Sequence, residues 1–542
     1  CIRDSTYLAV YPDRETELLM GESRVPYYDS AAAVLPRWRR YVRTHDGRVR
    51  QYGAVHESDG EKLALIDSRA EQPRLMRTAH GKGEVYRTTV LAKLVGLAVV
   101  KFSTLDPGGM GIEMEAGKPG WYDALNGLPG LFGSSMCETY ELHRLLTFLI
   151  DATNARPDAD LMLPIEQVRL LEQVQQALSA WADSSDPDRD FVCWDRMSTA
   201  REAYREDTRL GIDGSTHTFA CRELGAILTE FRSKVALAIE RSLELGDGVP
   251  PTYLEYRAIE TVEILDGNGQ PERDDQGRPY AWVKQFEVTP LPPFLEGPVH
   301  ALKVQADTAS ARLLHQQVKE SELFDRKLGM YKVNASLASE SHEIGRARAF
   351  PPGWLENESI WLHMEYKYLL ELLRAGLYEE FYEALKTALV PFQPPARYGR
   401  SPLENSSFIV SSAHPDPALH GAGFVARLSG STAEFLSLWT SMMAGERPFL
   451  VNGGELQLKL SPALPGWFFT DQGVLRFRFL GQCEVTYHNP HRLDTFADGV
   501  EPRRIVLWPS EAESVEITGH TVGAPYAEMV RSGDIGRFEV FF

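Results

Sequence analysis

Between Met136 and Gly246 the chain repeats one kind of segment, a long run with an apolar residue every third or fourth position. Leu142, Leu145, Leu146, Leu149 and Ile150 fall on one helical face, and Pro164 opens a second helix in which Ile165, Val168, Leu171, Val174 and Leu178 recur at the same spacing. Phe219 to Leu245 is a third, with Glu and Lys/Arg on its solvated side. Val85 to Phe102 reads as a buried helix ahead of these, and Trp361–Ala375, Tyr378–Leu389 and Thr432–Ala444 follow. Each such stripe has to be covered by another helix. The pattern predicts a helical toroid whose connecting loops line a central pocket, with an α-solenoid as the alternative.

Two stretches break the helical rhythm. Tyr256 to Ile264 and Tyr280 to Val288 are strand-like, with Asp266-Gly267-Asn268-Gly269 as turn chemistry, so a hairpin subdomain is expected at about 250–310, closed by a stiff loop over Pro290 to Pro298. Toward the C-terminus Leu475, Phe477 and Phe479 alternate with Arg476 and Arg478. Short strands at 485–487, 505–508, 514–517 and 538–542 complete an all-β module, sandwich-like, over 456–542, after a helical unit over 1–455. Near the N-terminus Arg37-Trp38-Arg39-Arg40-Tyr41 reads as a basic helix face turned to solvent.

A formal charge of -19 excludes a nucleic-acid backbone as partner, because that binding needs a basic face. No stretch is apolar enough to span a membrane. The five cysteines, Cys1, Cys137, Cys193, Cys221 and Cys483, are scattered without a CxxC pair, the pattern of a reduced, cytoplasmic protein. His80, His363, His414 and His420 do not fall at metal-ligand spacing, so no metal is assigned. No Walker or Rossmann glycine pattern is present, and Ser134-Ser135 and Ser406-Ser407 lack a nucleophile elbow. The chain starts at Cys1-Ile2-Arg3-Asp4 without a Met, and an upstream portion is expected.

Four polar clusters carry the candidate chemistry. Gly120-Trp121-Tyr122-Asp123-Ala124-Leu125-Asn126-Gly127 sets a carboxylate between aromatics and an amide on a Gly/Pro-bounded loop. Asp123 there is a candidate general acid for a sugar; the alternative is a loop Asp capping the next helix. Pro351 to His363 carries Trp354, Glu356, Asn357, Glu358, Trp361 and His363, suited to orienting sugar hydroxyls, or else a helix start with acidic first-turn residues. Tyr398 to Ser407 contributes Glu404. From His414 and His420 to Ala433, Arg427 supplies a forked cation and Ser431 and Thr432 supply hydroxyls at a helix start, a set that can hold phosphate or simply cap the helix.

In this order the clusters resemble the inverting glycoside phosphorylases related to cellobiose phosphorylase, a group that includes the β-1,3-glucan phosphorylases. Trp121-Tyr122-Asp123-Ala124-Leu125-Asn126 looks like the family's Trp-Asn-Asp-Gly-Met-Asn acid loop, and Glu356-Asn357, with Trp361 and His363 behind, like its sugar-contacting Glu-Asn. Ser429-Gly430-Ser431-Thr432-Ala433 resembles its Thr-Gly-Thr-Ala phosphate loop, and Arg3-Asp4 a short donor-sugar Arg-Asp. Tyr122 stands where the family has Asn, Gly133-Ser134-Ser135 where it has Gly-Glu-Ser, and Ala426-Arg427 where it has a phosphate-site His.

The resemblance implies an (α/α)6 barrel followed by a C-terminal β-sandwich, with a further β-sandwich upstream of this chain. It implies Asp123 as acid, phosphate held by Arg427, Ser431, Thr432 and His420, and sugar contacts from Arg3, Asp4, Trp121, Tyr122, Asn126, Glu356, Asn357, Trp361, His363 and Glu404. The partners are then a β-glucan oligosaccharide and inorganic phosphate as co-substrate, without a cofactor, and a homodimer is compatible with it. An inverting hydrolase or transglycosylase on the same barrel, and a non-catalytic glycan-binding protein, are the rival expectations.

Overall fold

The computed structural model describes residues 7–22, 25–56, 59–114, 133–246, 248–425, 429–509 and 513–542, a mixed α/β chain of many helices and small sheets. Over residues 7–89 the described chain runs in two-residue strand pairings, single 3-10 turns and two short helices, Glu15–Met20 and Gly60–Asp67. Helix α1 then spans Val90–Phe102, and Thr89 caps it by accepting the Ala92 N–H at 3.2 Å. Residues 85–89 are thus extended, and the helix expected from Val85 starts later.

Strands β1 (Ile112–Glu113) and β2 (Gly133–Ser135) lead into α2 (Met136–Asn154). Next come β3 (Asp160–Pro164), α3 (Ile165–Ala182), α4 (Arg189–Asp207), β4 (Thr216–Ala220) and α5 (Cys221–Leu245). Strands β5 (Tyr253–Glu263) and β6 (Ala281–Pro290) follow, then α6 (Glu296–Leu302) and α7 (Thr308–Glu320). The second half holds β7 (Ile360–Trp361), α8 (Leu362–Arg374), α9 (Tyr378–Ala388), β8 (Phe408–Ile409), β9 (Gly423–Phe424) and α10 (Ser429–Ala444).

The helices pack in succession, α3 on α1, α1 on α2, α2 on α6 and α6 on α8. Further helices back this series: α4 against α3, α5 against α2, and α9 and α10 against α8. The apolar stripes meet as their spacing requires. Phe102 of α1 stacks on Phe231 of α5 with centroids 4.1 Å apart, and both rings are fully buried. Burial of each such ring is worth roughly 1.5–3 kcal/mol.

The hairpin β5–β6 does not stand apart from the helices. Tyr253, Leu254 and Glu255 pair with Ser135, Ser134 and Gly133, so the sheet runs β6-β5-β2-β1. Its tip carries two successive tight turns. Asp266 accepts from the N–H groups of Asn268 and Gln270, and Asp274 repeats the arrangement with Gln276 and Arg278.

The C-terminal strands are β10 (Phe449–Asn452), β11 (Glu455–Lys459), β12 (Val474–Phe479), β13 (Cys483–His488), β14 (Arg504–Pro509), β15 (Val515–Thr518), β16 (Thr521–Val522) and, after helix α11 (Tyr526–Ser532), β17 (Ile535–Phe541). They form a five-stranded sheet, β12-β13-β17-β14-β15, whose β13–β17 pair is parallel, and a three-stranded sheet, β10-β11-β16. Helix α11 packs on β11 and β17, so the region is not all-β as the strand pattern predicts. Leu438 and Met442 of α10 share one apolar cluster with Phe449, Leu458, Val485 and Leu507, so the core runs unbroken across 455–456.

The basic run at 37–41 is also different from its expected solvated face. Arg37 and Arg40 are 3% and 2% exposed, and only Arg37–Arg39 form a single 3-10 turn. Arg37 reaches Asp195 at 2.6 Å and Glu202 at 3.0 Å on α4, and lies over the rings of Trp194 and Trp282. The partners that make burial tolerable lie far along the chain.

Candidate functional site

Three of the four polar clusters meet on one small sheet, ordered β7-β8-β9. Ile360 and Trp361 pair with Ile409 and Phe408, which pair in turn with Gly423 and Phe424. The seam is aromatic. Trp361 lies parallel to Phe408 at 6.2 Å, Phe408 to Phe424 at 5.9 Å, and the Trp354 ring sits 4.7 Å from Phe424. Gly423 is required there, because a Cβ would stand 2.2 Å from the Tyr398 ring and 2.4 Å from Ser406 Oγ.

The backbone around this sheet is held in uncommon conformations. Leu355, Glu358 and Val425 have φ of 49°, 55° and 57°, the left-handed region that branched side chains avoid. Strain of this kind persists where the surroundings over-determine it, and it concentrates at functional sites.

Residues 351–359 form turns that lead through β7 before α8 begins at Leu362. Glu356 and Glu358 are therefore not first-turn residues of the helix; Glu365 is. Glu356 lies 3.6 Å from Arg346. Asn357 is 5% exposed, donates from Nδ2 to the Phe350 carbonyl at 2.7 Å, and leaves Oδ1 buried without a partner among the described residues. Glu358 is held by Lys332 at 2.9 Å. Glu404 pairs with Arg400 at 3.0 Å, and Arg400 also donates to the Gly423 carbonyl at 2.9 Å.

The packing of α8 on α10 joins two more predicted residues. The His363 ring lies against Gly430, where a Cβ would be 2.3 Å from Nδ1, and His363 Nε2 faces Glu434 at 3.5 Å. Burial pushes the Glu434 carboxyl up, but the bond to His363 and the Lys367 and His363 charges outweigh it and hold it below the usual carboxylate range. Ser431, in the first turn of α10, is 3% exposed and its Oγ has no partner among the described residues. Thr432 beside it is partly buried. His420 is engaged at both ring nitrogens: Nδ1 meets Lys327 Nζ at 2.7 Å and Nε2 meets the His414 carbonyl at 2.8 Å.

Arg3, Asp4, Trp121, Tyr122, Asp123, Asn126 and Arg427 lie outside the described residues. The flanks of the 120–130 loop are described. Met114 packs on the small cluster of Tyr253, Leu291, Phe294, Val333 and their neighbours, and Trp361 packs on that same cluster. Gly133 is paired to Glu255.

Glu296, which spacing does not single out, lies close by at the start of α6. It is 8% exposed and accepts from the Tyr253 hydroxyl at 3.1 Å. Burial pushes its carboxyl up to about 6. Pro290 to Pro298 reads as a loop in sequence, and no pattern there marks a buried acid.

No family model matches this chain, and no curated protein does. Among solved structures, a GH63 mannosylglycerate hydrolase from Thermus thermophilus in complex with glucose aligns at 10% identity and TM-score 0.24, over 70% of this chain and 99% of that one. The same hydrolase with Tris gives 10%, 0.24, 70% and 98%. An uncharacterized conserved protein from Thermus thermophilus gives 10%, 0.23, 70% and 98%. Likeness at this level fixes neither substrate nor residue roles for this chain.

Proposed function

We propose that this chain is a carbohydrate-active enzyme that cleaves a β-glucan oligosaccharide, a β-1,3-glucan by preference, by inverting phosphorolysis. The product is α-glucose 1-phosphate from the non-reducing end. The observation that supports this most is convergence: the clusters at 351–363, 398–407 and 414–433 are separate in sequence yet lie on or beside the β7-β8-β9 seam and the α8–α10 contact.

On this reading Asp123 gives its proton to the glycosidic oxygen while phosphate attacks the anomeric carbon from the opposite face. The carbon–oxygen bond breaks and the shortened glucan leaves with the proton. Phosphate replaces the water and the general base of an inverting hydrolase, so one acid suffices. Arg427, Ser431 and Thr432 hold the anion, and the Ser431 Oγ, without a partner among the described residues, is the sort of buried hydroxyl that a ligand oxygen satisfies. The imidazole of His420 is already engaged, so Lys327 brings the charge at that position. Trp361 offers a stacking face, and Glu356, Asn357 and Glu404, with Arg3 and Asp4, serve the sugar hydroxyls. The succession of paired helices is compatible with an (α/α)6 barrel, and the two C-terminal sheets with a sandwich.

The test uses laminari-, sophoro- and cello-oligosaccharides with and without inorganic phosphate, assayed for glucose 1-phosphate. Phosphate-dependent release from the laminari series is expected. Free glucose formed equally well without phosphate overturns the reading in favour of a hydrolase. Silence on all panels, with Asp123→Asn indistinguishable from wild type in glycan binding, overturns it in favour of a non-catalytic role.

A further inference from the structure

Two helices bring together three residues that are far apart in sequence. Cys137 lies in the first turn of α2, and Glu296 and His300 stand one turn apart on α6, which packs on α2. One ligand atom from each, a thiol sulfur, a carboxylate oxygen and an imidazole nitrogen, lies within 4.8 Å of the other two. Cys137 and Glu296 are 4% and 8% exposed.

We propose that Cys137, Glu296 and His300 bind a zinc ion. The donor set is thiolate, imidazole and carboxylate, which suits zinc and disfavours magnesium or calcium. An ion bound at about 2.0–2.3 Å sets neighbouring ligands about 3.3–3.8 Å apart. His300 Nε2 and Glu296 Oε1 are already 3.8 Å apart, beyond hydrogen-bond reach of each other. The third ligand atom lies within 4.8 Å of both and closes by about 1 Å to reach that spacing.

The surroundings are those of metal ligands. His300 presents Nε2 to the site because Nδ1 meets the Glu141 carboxylate at 2.9 Å, the outer-sphere arrangement that fixes a ligand's tautomer. Glu141 is fixed in turn by Lys303 at 2.8 Å and Arg144 at 2.9 Å. The Tyr253 hydroxyl holds the second oxygen of Glu296 at 3.1 Å. The His300 side chain keeps 12% exposure and Glu141 38%, so this edge gives an ion and a fourth, water ligand a path in. On binding, the Cys137 proton is released to solvent.

The ion would tie α2 to α6, the step of the helix succession beside the Trp361 cluster, and this inference does not depend on the phosphorolysis reading. The experiment is cobalt(II) titration of the purified full chain, followed optically, with zinc stoichiometry by mass spectrometry. One equivalent of retained zinc and an intense thiolate-to-cobalt band in the near ultraviolet are expected. Cys137→Ser should abolish the band, His300→Gln should weaken cobalt binding at least about tenfold, and Cys483→Ser, in the C-terminal sheet, should leave it unchanged. Zinc should also slow alkylation of Cys137 in the wild-type chain relative to Cys193, a readout that needs no variant to fold. Absence of stoichiometric zinc together with absence of the band overturns the proposal. So does a band that survives Cys137→Ser, or alkylation of Cys137 that zinc leaves unchanged.

Discussion

Gly423→Ala tests whether the β7-β8-β9 seam is what gathers the polar clusters. The added Cβ would stand 2.2 Å from Tyr398 Cε2, 2.9 Å from Cδ2 and 2.4 Å from Ser406 Oγ. Tyr398 cannot swing aside cheaply, because it is fully buried and its hydroxyl meets Ser406 Oγ at 2.6 Å, the Glu404 carbonyl at 2.7 Å and the Ser406 N–H at 3.0 Å. Overpacking of this kind costs roughly 1–3 kcal/mol, and each hydrogen bond lost adds about 1 kcal/mol. A destabilisation of about 3 kcal/mol is therefore expected in urea unfolding followed by tryptophan fluorescence. Trp354, whose ring lies 4.7 Å from Phe424, reports the local change.

The same substitution made on Tyr398→Leu, which lacks both Cε2 and the hydroxyl but leaves Ser406 Oγ in place, should cost less by about 1 kcal/mol or more. Equal costs in the two backgrounds would show that the contact is not what constrains Gly423, and the geometric reasoning would fall with it.

Three further outcomes are expected. Asp123→Asn should lower phosphorolysis at least about a hundredfold while leaving the urea midpoint unchanged, since a general acid contributes that much and a loop cap does not. Arg37→Met should cost about 2 kcal/mol in the same unfolding assay because it leaves the mostly buried Glu202 without its cation, whereas exposed Arg39→Met should change it by under about 0.5 kcal/mol. His315, 3% exposed, has its imidazole held down to about 4 by burial and by the nearby Lys319 and Arg312 charges. The unfolded chain then binds the proton first, so stability is lost as pH falls from about 6.5 toward 4, by up to about 3 kcal/mol. His315→Gln should remove that part of the slope between pH 7 and 4, and an unchanged difference curve would refute it.

Much of the secondary structure is legible in the sequence because its signal is local. Alternation at Leu475, Phe477 and Phe479 marks β12, and the stripe from Ile165 to Leu178 marks α3, since each reflects one face turned to one core. The failures share a cause, which is dependence on distant partners. Arg37 reads as solvated because Asp195 and Glu202, which make its burial tolerable, lie more than a hundred and fifty positions away. Helix α11 is too short for a periodic pattern to announce it. Of the candidate site, the polar clusters and their order are legible, but the small sheet that joins them is not: two-residue strands carry no period. Cys137, Glu296 and His300 escape notice for the same reason, since ligand spacing along the chain says nothing when a helix–helix contact supplies the closure.

Strands β1 and β2 have a consequence for how this chain can diversify. Ile112 and Glu113 pair with Ser135 and Ser134, so the described residues on either side of 115–132 lie on neighbouring strands, about 4.8 Å apart. The hairpin clamps β2 from its other edge. The two strands that flank residues 115–132 are therefore tied to each other and to the hairpin, a fixed frame on either side of that stretch. Relatives of this chain are expected to keep that frame, because a change in either flanking strand is passed on to the hairpin paired beside it.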